Sequence, residues 1–82
     1  MYDLTYLYID SNRKRSFVGD KCGSVYVYDT SKPKPQAIVH LETGVRSVRG
    51  LDFDDGKNYL FVLGYEEGDM VVYDVNKAGW ES

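Results

Sequence analysis

The chain has 82 residues, of which 43% are hydrophobic, 15% aromatic and 28% charged, and its formal net charge at pH 7 is −3. This length fits one small domain, and many aromatic residues at low net charge exclude intrinsic disorder. No apolar run approaches the roughly 18 residues that span a bilayer, and the first residues lack the pattern of a signal peptide. The acidic balance argues against nucleic acid as a partner.

Cysteine usage indicates the compartment. Cys22 is the only cysteine, which excludes an internal disulfide and a zinc site built on paired thiolates. No asparagine begins a glycosylation sequon. Because secreted domains of this size are normally stapled by disulfides, we expect an intracellular, cytoplasmic protein.

Short runs of β-branched and aromatic residues, separated by turn residues, predict strands along the whole chain. Pro33 and Pro35 interrupt it because each lacks an amide donor for a ladder. No helical periodicity is present, so the predicted fold class is all-β. The predicted strands cover residues 4–9, 16–19, 24–28, 36–41, 45–53, 59–65 and 70–75.

The chain also repeats itself. A shift of 45 positions places residues 18–29 on 63–74 without a gap, and the two segments share two glycines, a valine and a closing Tyr-Asp pair. The repeat predicts two units, residues 1–44 and 45–82, the second without its last strand. Strands such as 59–63 are apolar on both faces, so their sheets must be covered on both sides, as the blades of a β-propeller are.

A period of 45 residues, four short strands and a closing aromatic-Asp pair resemble the WD-repeat β-propellers, whose units run about 40–45 residues. Tyr28-Asp29 and Tyr73-Asp74 stand where that family has Trp-Asp, and Asp55-Gly56-Lys57 precedes the best-matched strand. The segment Phe17–Asp20 also resembles repeats of WD-repeat proteins that carry a FYVE domain. The family's Gly-His pair is absent, so its buried His–Asp–Ser–Trp network is not expected here.

The resemblance implies antiparallel propeller blades, about two in this chain, and a non-catalytic protein–protein interaction scaffold. Two blades leave two apolar sheet faces in water, which strongly favours association at about 25 cal/mol per Å² of apolar surface. We therefore expect either a piece of a longer propeller or a protomer that closes a ring with copies of itself. The partners of the faces are accordingly further blades or copies of the chain.

Propellers of this family bind partners on the rim formed by the loops before the first strand and after the second. In this chain those loops contain the candidate partner-binding residues Lys21, Arg46, Tyr65 and Glu66. Arginine and tyrosine are enriched at the energetic centres of interfaces. Pairing of Arg46 with Glu66 or Glu67 is the structural alternative.

Arg13, Lys14 and Arg15 form a basic run in a turn and are candidate anion-binding residues. They favour an alternative function, a phosphoinositide- or membrane-surface-binding module. A solvated turn is the simpler interpretation of such a run. A self-assembling structural ring protomer is the other alternative.

No pattern in the sequence predicts an enzyme. His40 is the only histidine and lies within an apolar strand, whereas nucleophilic catalysis needs a nucleophile beside a positioned base. The acidic residues near Gly56 lack the ligand spacing of a calcium loop, and no phosphate-binding glycine loop occurs. We expect no catalytic residue, no metal site and no cofactor.

Overall fold

The computed structural model describes residues 3–76 and Trp80, which form seven antiparallel strands and no helix. The first sheet has the order β1-β2-β3-β4 and the second the order β5-β6-β7. The prediction of an all-β fold with four strands and then three is confirmed. The strands are β1 (Leu4–Asp10), β2 (Arg15–Asp20), β3 (Ser24–Asp29), β4 (Gln36–Glu42), β5 (Gly50–Asp54), β6 (Tyr59–Leu63) and β7 (Met70–Asp74).

The sequence prediction of a strand from residue 45 is wrong for its first five residues, because β5 begins only at Gly50. Ser47 has a φ of 44°, which lies outside the extended region of regular strands. The amides of this segment bond to other loops and to β6 instead. Val48 N donates to Asp20 O at 3.0 Å and Arg49 N to Leu63 O at 2.9 Å. Residues 43–49 therefore form an irregular crossing between the sheets.

One face of each sheet is buried against the other sheet. The rings of Phe17 and Phe53 stack across this interface with centroids 6.2 Å apart, and Trp80 lies 5.9 Å from Phe17. Buried apolar area is the main favourable term in such packing. The core comprises Phe17, Val25, Val27, Leu41, Val45, Val48, Leu51, Phe53, Leu60, Val62 and Tyr73.

The two units correspond strand by strand, with β1, β2 and β3 matching β5, β6 and β7. The architecture is thus all-β and repeat-like. In the described part of the chain, β7 has no strand partner on its outer edge, whereas β3 pairs with β4 there. No helix among these residues is long and apolar enough to cross a membrane.

Candidate interaction surface

Three loops meet at one end of the two sheets. They are the turn 20–23 after β2, the crossing 43–49 and the loop 64–69 after β6, and together they are called the loop cluster below. Thr43 N donates to Gly23 O at 3.2 Å and joins the first two loops, and Tyr65 N donates to Arg46 O at 2.7 Å and joins the second to the third. Backbone hydrogen bonds therefore hold the cluster as one unit.

Asp20 organises the turn 20–23. Its side chain is fully buried, and Oδ1 accepts hydrogen bonds from Cys22 N and Ser24 N, each at 2.9 Å. Oδ2 is buried without a hydrogen-bond partner. Gly23 closes the turn with a φ of 87°, and a Cβ there would lie 1.9 Å from Val45 O. Only glycine permits this approach of the turn to the crossing.

Asp69 organises the third loop in a similar way. Its Oδ2 accepts from Arg46 N at 2.9 Å, and its own backbone closes the loop through Glu66 O at 3.0 Å and Gly64 N at 2.6 Å. These bonds fix the backbone on both sides of Tyr65. The Tyr65 side chain thus projects from an ordered backbone.

The structure brings three of the four candidate partner-binding residues together. Arg46 Nη1 lies 2.8 Å from Glu66 Oε1, which realises the pairing that the sequence left open. Both side chains are largely exposed, so the pair adds little to stability. Tyr65, the residue before Glu66 in the chain, is 74% exposed. Lys21 is exposed on the adjoining turn.

A shallow pocket of about 210 Å³ opens beside this group. Leu63 and Met70 supply apolar wall, while Arg49, Glu66 and Asp69 supply charge. Met70 is 53% exposed. The lining therefore combines apolar side chains with charges of both signs, as protein-binding surfaces do.

The three candidate anion-binding residues lie at the opposite end of the sheets and differ in their contacts. Arg13 Nη1 lies 2.6 Å from Asp55 Oδ1 and 3.3 Å from Asp10 Oδ2, and so connects the two sheets. Its guanidinium also donates to Asn58 Oδ1 at 3.2 Å. The Asp55 and Asp10 hydrogen bonds raise the pKa of Arg13, although partial desolvation opposes them.

Arg15 is still more enclosed. Its Nε lies 3.0 Å from Asp10 Oδ2, and the side chain is 12% exposed. The guanidinium carbon lies 5.0 Å from the centroid of the Phe17 ring, 4.8 Å from that of Phe53 and 5.4 Å from that of Trp80. Lys14, between the two arginines, is exposed.

His40 makes a packing contact with an aromatic side chain of the neighbouring strand. Its ring stacks on Tyr26 with centroids 4.5 Å apart and an interplanar angle of 11°. Among the described residues, no group of three or more His, Cys, Asp or Glu side chains is placed to hold a metal ion.

The sequence reasoning missed Asp20 and Asp69 as organisers of the cluster and did not single out Met70 as a pocket wall. A signal for Asp20 was present, because Asp followed by Gly three residues later is typical of a turn in which the carboxylate accepts backbone amides. No local pattern signals the pairing of Arg13 with Asp55, because the two residues are 42 positions apart.

Comparisons of the chain with protein-family models, with curated proteins and with solved structures found no match.

Proposed function

We propose that this protein is a non-catalytic scaffold for protein–protein interaction and that the loop cluster binds the partner. In this proposal the two sheets are blades of a WD-repeat-like propeller, and the protein works in the cytoplasm. The supporting observation is the combination of a backbone held by cross-loop hydrogen bonds with an exposed Tyr65 beside Arg46 and a pocket of mixed apolar and charged lining.

Physical reasons connect this arrangement to binding. Association with a loop that is already ordered costs less conformational entropy than association in which the loop must first become ordered. Tyrosine offers a large amphipathic surface with few torsions, and arginine offers several donors. Arg46 is free to exchange Glu66 for an acidic group of the partner because that salt bridge is exposed.

The anion-binding alternative receives less support from the contacts of its residues. Arg13 and Arg15 both bond to Asp10, and Arg13 also bonds to Asp55, so two guanidinium groups face two carboxylates. A phosphate headgroup would have to compete with these internal partners. We therefore expect no preference for anionic vesicles.

The test is affinity capture with the immobilised chain from cytosolic extract, quantified for the wild type, Tyr65→Ala, Arg46→Ala and Lys57→Ala. Lys57 is an exposed residue at the opposite end of β6 and serves as the matched control. We expect a protein that the wild type and Lys57→Ala retain and the other two variants lose. With that protein purified, calorimetry should show at least about a tenfold weaker affinity for each cluster variant.

Capture that the cluster substitutions leave unchanged would contradict the proposal. A second arm measures sedimentation with phosphatidylcholine vesicles, with and without phosphatidylinositol bisphosphate. Binding only to the anionic vesicles, abolished by changing Arg13, Lys14 and Arg15 together to Ala, would favour the alternative instead.

A further inference from the structure

Each sheet has one face that the other sheet does not cover and on which apolar side chains are exposed or half-buried. On the first sheet this outer face contains Leu7 and Ile9, which are 58% and 63% exposed. On the second it contains Met70, 53% exposed, with half-buried Phe61 and Val72. Cross-strand pairing places Leu7, Val18, Tyr26 and His40 in one row of the first outer face, and Leu63 beside Met70 on the second.

The turns establish which positions of the two sheets correspond. The β1–β2 hairpin closes on the pair Asp10–Arg15 and the β5–β6 hairpin on Asp54–Tyr59, each around four residues. The last turn residue has positive φ in both, 50° at Lys14 and 59° at Asn58. Both hairpins therefore match at an offset of 44 residues, from Asp10 to Asp54 and from Arg15 to Tyr59.

The third strands match at an offset of 45. Lys14 O accepts from Thr30 N, and Asn58 O accepts from Val75 N, so residue 30 corresponds to residue 75. The uniform shift of 45 seen in the sequence thus matches β3 to β7. It is one residue too large for matching β1 to β5 and β2 to β6. The additional residue lies between β6 and β7.

This one-residue difference decides which faces are equivalent. The row Leu7–Val18–Tyr26 on the first outer face corresponds to the row Leu51–Val62–Val71, which packs against the first sheet. Conversely, the inward row Tyr8–Phe17–Val27 of the first sheet corresponds to Asp52–Phe61–Val72 on the second outer face. The interface between the two sheets therefore joins two kinds of face that are not equivalent. One face of each kind is left uncovered, on the outer side of the other sheet.

We propose that a second copy of this chain covers the first outer face with its second outer face and repeats the internal interface between molecules. Phe61 of one copy then occupies the place of Phe17, and Ile9 of the other the place of Phe53. Such a head-to-tail contact closes a ring or extends a filament, according to the rotation between copies. The second outer face shares Leu63 and Met70 with the pocket beside the loop cluster, but the oligomeric state of the chain and the capture of a partner through Tyr65 test the two proposals separately.

The experiment uses two blocked variants of the full chain and light scattering over a concentration series. Leu7→Glu with Ile9→Glu blocks the first outer face, and Met70→Glu with Val72→Glu blocks the second. Lys32→Glu, in the exposed connection after β3, changes the net charge by the same two units as each blocked variant and is the control. Circular dichroism checks the fold, and the single changes Ile9→Arg and Met70→Glu replace any double variant that fails to fold.

We expect the wild type and the Lys32→Glu control to form assemblies of more than one chain, and each blocked variant to be a monomer. An equimolar mixture of the two blocked variants should form a dimer of one of each, because each retains the face that the other has lost. A wild type that stays monomeric at all concentrations would overturn the proposal. Association of one blocked variant with itself, or a mixture that stays monomeric, would overturn it too.

Discussion

At the residue scale, Asp20 contributes more hydrogen bonding to the fold than its position in a turn suggests. One carboxylate oxygen accepts two backbone amides, and the other is buried without a hydrogen-bond partner. The side chain shapes the turn, the backbone oxygen Asp20 O accepts from Val48 N of the crossing, and the crossing carries Arg46. An amide oxygen accepts the same two bonds, so we expect this role to need no charge.

The prediction for Asp20 compares two substitutions. Asp20→Asn keeps an acceptor in place of Oδ1 and removes a buried charge, so we expect the free energy of unfolding to change by less than about 1 kcal/mol. Asp20→Ala leaves the amides of Cys22 and Ser24 without their acceptor and should cost about 3 kcal/mol. Urea unfolding of both variants measures the difference. Equal losses would show that the carboxylate charge itself is needed.

Tyr73 gives a pH-dependent prediction. Burial raises the pKa of its hydroxyl above the ordinary value of 10.0. The folded state thus holds this proton more tightly than the unfolded state. Its contribution to stability is complete below pH 10 and is lost as the pH rises from 10 through the folded-state pKa.

The corresponding experiment measures the free energy of unfolding against pH between neutrality and the alkaline range. The slope above pH 10 should be shallower for Tyr73→Phe than for the wild type. Tyr65→Phe removes a hydroxyl from an exposed ring and serves as the control. An unchanged slope in Tyr73→Phe would contradict the effect of burial.

At the scale of elements, the crossing 43–49 packs closely on β2. A Cβ at Gly19 would lie 2.4 Å from Cγ1 of Val48, and the Val48 side chain is fully buried. A side-chain hydrogen bond reinforces the position, since Thr5 Oγ1 donates to Val48 O. The absence of a side chain at Gly19 thus lets the crossing lie between the two sheets.

Gly19→Ala should therefore destabilise the protein by about 1–3 kcal/mol through overpacking. Val48→Ala should also destabilise it, because it leaves a cavity. In the double variant the new methyl group enters the space that Val48 has vacated. We expect the double loss to be smaller than the sum of the single losses by about 1 kcal/mol, measured as a double-mutant cycle in urea. Additive losses would contradict the contact.

At the scale of the whole molecule, two sheets share one core while each keeps an apolar outer face. A protein whose folded state associates gains stability by mass action, so its melting temperature depends on concentration. We expect the melting temperature of the wild type to rise with protein concentration and that of Leu7→Glu with Ile9→Glu to stay constant. Calorimetric scans of both proteins over a roughly hundredfold range of protein concentration compare their melting temperatures. A wild-type melting temperature independent of concentration would contradict association.

Much of the architecture could be predicted from the sequence. Alternating turn residues and apolar runs located seven strands, because strand formation depends mainly on local patterning. The repeat assigned four strands to one unit and three to the other. For the surface, the sequence placed Arg46, Tyr65 and Glu66 on connecting loops, and the structure brings these loops together.

Two features required the tertiary structure. The crossing 43–49 has strand-like residues, but Ser47 turns left-handed and its neighbours bond to both sheets, which no local pattern reveals. Arg13 and Asp55 are 42 residues apart, and their pairing depends on how the sheets face each other.

The sequence by itself therefore determined the strands, their order and the repeat, since these depend on neighbours along the chain. Only the tertiary structure decided which faces of the two sheets correspond, because one additional residue between β6 and β7 makes β1 and β2 match β5 and β6 at an offset of 44 instead of 45, and side chains on a strand alternate between its faces.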